Sequence, residues 1–135
     1  MTQIKPTYVT FEQARKLKQK GFNTPCQFLY VDGKYRINSE KEGDLIDNRY
    51  PSTHIPIDWC LAPEQWQVIE WLRVVHGIWI HIYYLTEEKC WGWDCYRYEK
   101  ENGLLNEPAI SFKMNLKSPQ EAYSLAFDYV LNKLI

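Results

Sequence analysis

The sequence predicts an α+β fold in which an antiparallel sheet carries its helices mainly on one face. Capping signals with apolar periodicity mark three helices, and runs rich in β-branched and aromatic residues mark the strands. Turns too short for a crossover join neighbouring strands, so those strands are antiparallel. The predicted order is α-β-β-loop-α-β-β-β-α.

The chain has 135 residues, a length typical of one domain. We therefore predict a single domain over 1–135. The alternative is two subdomains, αββ at 1–37 and αβββα at 61–135, joined by an irregular segment at 38–60. A chain of this size buries about two-thirds of its unfolded surface, so it needs neither disulfides nor metal to fold. No cofactor is expected.

Charge and hydropathy exclude several classes of partner. The chain has 16 basic and 17 acidic residues, which argues against nucleic acid because phosphate binding needs a basic surplus. The longest apolar stretch, Ile78 to Leu85, is far below the roughly 20 residues of a membrane span. Without a basic start followed by an apolar run, the protein is predicted to be cytoplasmic, with reduced cysteines.

The first helix is predicted from signals at both of its ends. Thr10 and Gln13 have the spacing of a capping box. Gly21 ends the helix because glycine takes the left-handed conformation at low cost, and Phe22 is placed to pack back on Leu17.

A hairpin is predicted next, with strands at 26–31 and 34–37 flanking the turn signal Asp32-Gly33. A two-residue turn fixes the pairing of the two strands. The pairs predicted for the core side are Tyr30 with Tyr35 and Phe28 with Ile37.

The second helix is predicted to begin at Pro63 and to end at His76, before Gly77. Apolar residues cover most of its circumference, so the helix is expected to be covered on more than one side. Its predicted core positions are Val68, Ile69, Trp71, Leu72 and Val75.

Three further strands and a helix complete the chain. The strands are predicted at 78–85, 90–98 and 109–114, with a turn at Asn102-Gly103 before the third. Ser118 and Pro119 mark the start of the last helix. Its predicted core stripe is Ala122, Leu125, Ala126, Tyr129 and Val130.

The long hairpin of 78–85 and 90–98 is the most informative part of the sequence. If 86–89 form its loop, Leu85 opposes Cys90 and the two faces follow by counting. The aliphatic face, expected to pack against helices, holds Ile78, Ile80, Ile82, Tyr84, Trp91, Trp93, Cys95 and Arg97. The amphipathic face holds Trp79, His81, Tyr83, Leu85, Cys90, Gly92, Asp94 and Tyr96, and continues to Tyr98.

Aromatic rings with polar tips are enriched at binding surfaces, which makes the amphipathic face a candidate binding site. We predict a non-enzymatic module that binds another protein through Trp79, Tyr83, Tyr96 and Tyr98. The competing interpretation is that these rings belong to the core, covered by the first helix or by the 38–60 segment. Self-association through the same face, giving a homo-oligomeric structural protein, is a further alternative.

A small ligand-binding domain or enzyme is the other alternative function. His81 lies opposite Asp94 in the predicted register, and a carboxylate can orient an imidazole as a general base. A cross-strand pair of this kind is more often structural, and the sequence identifies no nucleophile or oxyanion site to complete it.

The cysteines and histidines do not form a zinc pattern, which requires four convergent ligands. Cys90 and Cys95 face opposite sides of a regular strand, and Cys26 and Cys60 are isolated. The cysteines are predicted to be small buried hydrophobes. His76 is interpreted as a residue whose positive charge suits a helix C-terminus.

Three segments carry a resemblance to a known group of proteins. They are the run Tyr8 to Arg15 with Gly21-Phe22 and Pro25-Cys26, then Ala62-Pro63 with Trp71-Leu72-Arg73, His76 and Ile78, and finally Ser118 to Ala122. In these segments the chain resembles small uncharacterised proteins found in prophages and mobile elements of gut bacteria. The resemblance implies a bacterial or phage setting and no assigned activity.

Overall fold

The computed structural model describes residues 5–32, 35–38, 59–99, 101, 103–107 and 115–135. Over these ranges the elements are α1 (Phe11–Gln19), β1 (Phe28–Val31), β2 (Tyr35–Asn38), β3 (Trp59–Leu61), α2 (Gln65–His76), β4 (Ile78–Leu85), β5 (Cys90–Glu99), β6 (Gly103–Glu107) and α3 (Pro119–Tyr129), which continues into a π-helical turn, Val130–Leu134. The predicted α+β class is confirmed, and the element order roughly matches. None of the described helices is long and apolar enough to cross a membrane.

The chain forms two compact units, 1–67 and 68–135. The first contains α1 and an antiparallel sheet with strand order β2-β1-β3, and the second contains the sheet β4-β5-β6 and α3. The boundary falls after Gln67, within α2. The single-domain prediction therefore stays a prediction.

The end signals predicted for α1 are confirmed. The Thr10 side chain accepts from the backbone N–H of Gln13, and the Gln13 side chain accepts from the backbone N–H of Thr10. At the other end Gly21 has φ of 92°, and the backbone N–H of Phe22 donates to Leu17 at 2.9 Å. This is the Schellman arrangement, which closes the helix and buries both Leu17 and Phe22.

The predicted pairing of the first hairpin is wrong by one residue. Val31 pairs with Tyr35 and Leu29 with Ile37, so the connection spans three residues, 32–34. Asp32 has φ of 53°, a left-handed conformation that an Asp-Gly pair allows in loops of more than one length. A slip of one residue exchanges the two faces of a strand. Phe28 and Tyr30 were predicted for the core side, but Leu29 is the buried residue and these two are half-buried.

The first sheet has a strand that the sequence analysis missed. Trp59–Leu61 forms β3 and pairs antiparallel with β1, although an irregular segment was predicted as far as residue 60. Cys60 and Leu61 are buried. Three residues are too few to show a periodicity, and the pairing with β1 defines this strand.

The second helix begins two residues after Pro63, at Gln65. Only part of its apolar surface is covered. Val68, Leu72 and Trp71 are buried as predicted, whereas Val75, predicted for the core, is 59% exposed. The helix therefore has one buried side. The exposed valines on its outer side made the sequence pattern look apolar all round.

The second sheet confirms the register predicted for the long hairpin. Leu85 pairs with Cys90, and the eight pairs from there to Ile78 and Arg97 contain no bulge. The third strand of this sheet was not predicted. It lies at Gly103–Glu107, directly after the predicted turn, and pairs with β5. The strand predicted over 109–114 lies outside the described residues.

The last helix begins as predicted, with the Ser118 side chain accepting from the backbone N–H of Glu121 and with Pro119 in the first turn. Its buried residues are Ala122, Ala126, Phe127, Val130 and Leu131. Leu125 and Tyr129, predicted for the core stripe, are only half-buried, because the buried stripe runs through Phe127 instead.

Candidate functional site

The two faces of the β4–β5 hairpin have different surroundings. On the aliphatic face Ile78, Trp93 and Cys95 are at most 5% exposed. The Trp93 ring lies 5.6 Å from the Tyr129 ring of α3, and the Arg97 guanidinium donates to the carbonyl of Leu134 at 3.1 Å. This face is therefore the core side of its unit, as the sequence predicted.

The amphipathic face leaves its rings accessible. Trp79 is 44% exposed and Tyr98 is 54% exposed, and both belong to the small group of large hydrophobic residues on the surface. Tyr83 and Tyr96 are half-buried on the same face. The structure thus places the four predicted binding residues on one side of two neighbouring strands.

The Trp79 ring is held by a residue that the sequence analysis did not single out. The guanidinium of Arg73, in the last turn of α2, lies 5.0 Å from the ring centroid, a cation–π distance. The same guanidinium binds the carboxylate of Glu70 at 2.6 Å. The Glu70–Arg73 spacing in the sequence predicts that ion pair, but only the folded chain brings Trp79 beneath it.

A groove of about 430 Å³ lies beside these residues, lined by Arg73, Gly77, Trp79 and Tyr98. Gly77 is a lining residue whose backbone conformation is unusual. It has φ of 66°, and its carbonyl accepts from the backbone N–H of Tyr98 at 2.7 Å. A side chain at Gly77 would contact the Tyr98 carbonyl at 3.3 Å, so glycine suits both the backbone conformation and the close approach of the strands.

The Tyr83 ring lies across the strand on Gly92. A Cβ atom at position 92 would come within 2.6 Å of the ring carbon Cε2 of Tyr83. Gly92 therefore provides the space in which the ring lies flat on β5. A glycine inside a strand and opposite a tyrosine is the sequence signal for such a contact. The contact between Tyr83 and Gly92 was not predicted from it.

His81 and Asp94 meet as the register predicts, with 3.1 Å between Nδ1 and Oδ1. Their side chains are 57% and 28% exposed. The His81 ring also lies 5.4 Å from the Tyr83 ring. The pair is a surface feature of the amphipathic face, and neither residue lines the groove beside Trp79.

His76 does not behave as the helix-end cation that the sequence suggested. Burial lowers the pKa of His76, and the positive charge of Arg97 lowers it further. Its ring packs edge-on against Trp71, with 4.6 Å between centroids. Desolvation and a like charge therefore outweigh the favourable helix terminus.

All four cysteines are buried and none is in a disulfide, and their burial agrees with the prediction that they are small buried hydrophobes. Burial, together with the negative charge of Glu64, raises the pKa of the Cys26 thiol to about 12. A thiol in that state carries almost no thiolate at neutral pH and is a poor nucleophile. Within the described ranges no three histidine, cysteine or acidic side chains are grouped as metal ligands would be.

Comparison of the chain with protein families, with curated proteins and with solved structures finds no match. The fold and the site define a class only: an α+β protein in which one antiparallel hairpin has a helix-covered side and an accessible, ring-bearing side.

Proposed function

We propose that the protein is a non-enzymatic module that binds another protein through the amphipathic face of β4 and β5. The observation that carries this proposal is the exposure of Trp79 and Tyr98 on a regular, well-supported pair of strands. Indole and phenol rings offer a large contact area at low cost in conformational entropy, and they dominate the affinity of many protein interfaces.

The charges around the rings favour a partner without strong net charge. Among the described residues here, Arg73 is paired with Glu70 and the Asp94 carboxylate contacts the His81 imidazole, so neither Arg73 nor Asp94 lacks a polar partner. A paired surface neither attracts a phosphate backbone nor repels an apolar segment. This supports a protein partner above a nucleic acid.

The support beneath the rings favours binding without rearrangement. The Arg73 guanidinium lies over the Trp79 ring, and the Tyr83 ring lies against Gly92, so both rings have packing partners within the chain itself. A fixed ring loses little freedom on binding, which leaves more of the contact energy as affinity.

The proposed setting is a cytoplasmic accessory protein of a phage or mobile element, on the resemblance of the helix-start and helix-end segments. A ligand-binding or catalytic use of His81 and Asp94 is the alternative. The high exposure of His81 argues against it, because general bases gain strength where water is excluded.

The test measures which host proteins the tagged chain retains, and how ring variants change their affinity. Trp79→Ala and Tyr98→Ala should each weaken binding of the retained partner by roughly 30-fold, the effect of a central interface ring. Both residues are substantially exposed, so the thermal midpoints of the variants should stay close to that of the wild type.

Tyr84→Ala is the matched control, because Tyr84 lies on the same strand with 48% exposure but on the aliphatic face. Its affinity should stay within about twofold of the wild type, which is the size of a peripheral contact. Equal losses from Tyr84→Ala and Trp79→Ala, or unfolding of the Trp79 variant, would refute the proposal.

A further inference from the structure

In the part of the chain that the structure describes, β4 is an edge strand of its sheet. Its sheet has the order β4-β5-β6, so among the described residues β5 pairs along one edge of β4 and no strand pairs along the other. Eight consecutive residues, Ile78–Leu85, form this edge. Exposed edges usually carry a proline, a lysine or a bulge that prevents further pairing, and β4 has none of these.

The backbone groups that point outward from this edge can be identified. The backbone N–H of Tyr98 donates to the carbonyl of Gly77, which makes Gly77 and Tyr98 a hydrogen-bonded pair. Such pairs alternate along an antiparallel ladder, so odd-numbered residues of β4 bond to β5. The outward groups therefore belong to the even-numbered residues: Ile78, Ile80, Ile82 and Tyr84.

We propose that the free edge of β4 pairs with β4 of a second copy of this chain, which forms a symmetric dimer with one continuous six-stranded sheet. Two identical edges pair antiparallel about a twofold axis perpendicular to the sheet, and such an axis keeps each face on its own side. The outward backbone groups of the two copies meet only when even-numbered residues of one β4 lie opposite even-numbered residues of the other.

One register uses every outward group of the strand. Pairing Ile80 with Ile82 of the second copy, and Ile78 with Tyr84 of the second copy, gives about eight backbone hydrogen bonds. A shift of two residues towards the hairpin loop leaves Ile78 without a counterpart. The twofold axis of the best register passes between His81 and its copy, where the side chain is 57% exposed and open to approach.

The side chains agree with this register. Between the hydrogen-bonded pairs, Trp79 lies opposite Tyr83 of the second copy, at the closely spaced position where cross-strand ring pairs stabilise a sheet. Apart from His81, β4 carries no side chain that is charged near neutral pH, so the two edges do not repel each other through like charges. This self-complementarity favours a second copy over an unrelated extended peptide.

The contact is the edge of β4 and not its ring-bearing face, so it is independent of the proposed function. Self-association predicted from the sequence used the face itself. In the edge-paired dimer the two amphipathic faces lie on the same side of the six-stranded sheet, and they meet where Trp79 packs beside Tyr83 of the second copy.

A disulfide at the twofold axis tests the register directly. His81→Cys should form a covalent dimer on mild oxidation, because closely spaced pairs place Cα atoms about 4.5 Å apart, within disulfide range. Tyr83→Cys alone should form no covalent dimer under the same conditions, because Tyr83 lies opposite Trp79 of the second copy and not opposite itself. An equimolar mixture of Trp79→Cys and Tyr83→Cys should give the mixed dimer. The native cysteines are buried and contribute little background.

Val74→Cys is the control for random collision, since Val74 is 74% exposed on α2 and away from the edge. Light scattering of the wild-type protein should report a dimer in the micromolar range. A monomer at all concentrations, His81→Cys crosslinking no faster than Val74→Cys, or aggregates without a defined dimer would each overturn the proposal.

Discussion

The two faces of the β4–β5 hairpin contain similar numbers of rings but use them differently. On the aliphatic face the indole of Trp93 is 5% exposed and contacts α3, whereas on the amphipathic face the indole of Trp79 is 44% exposed. Both indoles belong to the same pair of strands, paired in one register. The faces differ because a helix packs on one of them. The exposure of a ring therefore depends on what lies next to it and not on its residue type.

This difference separates stabilising residues from binding residues within one pair of strands. A buried ring contributes the burial of its surface to folding, and its removal leaves a cavity. An exposed ring leaves most of its apolar surface for a partner. The variants below test that division, beginning with the largest expected effect.

Trp93→Ala should lower the free energy of unfolding by about 3–5 kcal/mol, because it empties a buried site against Tyr129. Trp79→Ala should lower it by no more than about 1 kcal/mol, the usual range for a surface position. Urea denaturation followed by circular dichroism measures both. A larger loss from Trp79→Ala would reverse the assignment of the two faces.

Gly92→Ala should destabilise the protein by about 1–3 kcal/mol, the usual cost of inserting a methyl group into occupied space. The added Cβ would lie 2.6 Å from the Tyr83 ring, which must move away. In a Tyr83→Ala background the same substitution should cost almost nothing, because its steric partner is absent. An undiminished cost in that background would place the strain elsewhere than at the ring.

His76 should give the smallest effect, a loss of stability on acidification. Its pKa in the folded state is lowered by burial and by Arg97, so the unfolded chain binds the proton more tightly. Stability is then unaffected above the ordinary value of 6.5 and falls as the pH drops below it. His76→Gln should remove this component from the pH dependence of the unfolding midpoint; an identical pH profile in the variant would contradict the shift.

The two hairpins show how far strand pairing could be predicted. The four-residue loop at 86–89 was assigned correctly, and every pair of β4 with β5 followed from it. The Asp32-Gly33 signal suggested a two-residue turn, but the loop has three residues and the predicted core side was exchanged. One residue of loop length is a small local difference with a consequence along the whole strand.

The candidate site divides in the same way. Counting along the strands placed Trp79, Tyr96 and Tyr98 on one face and His81 opposite Asp94, as observed. Arg73 was not predicted, because its position over Trp79 depends on how α2 enters β4 through Gly77. Contacts of this kind depend on the direction in which one element leads into the next, and the periodicity of the sequence does not predict that direction.

The sequence by itself determined both ends of α1, the start of α3, the register of the long hairpin and the α+β class, because capping, turn chemistry and side-chain alternation act between residues close in the chain. Only the tertiary structure decided that Trp59–Leu61 is a strand, that Val75 is exposed and that Arg73 lies over Trp79. Each of these depends on which distant segment lies alongside, and burial is a property of the neighbour as much as of the residue.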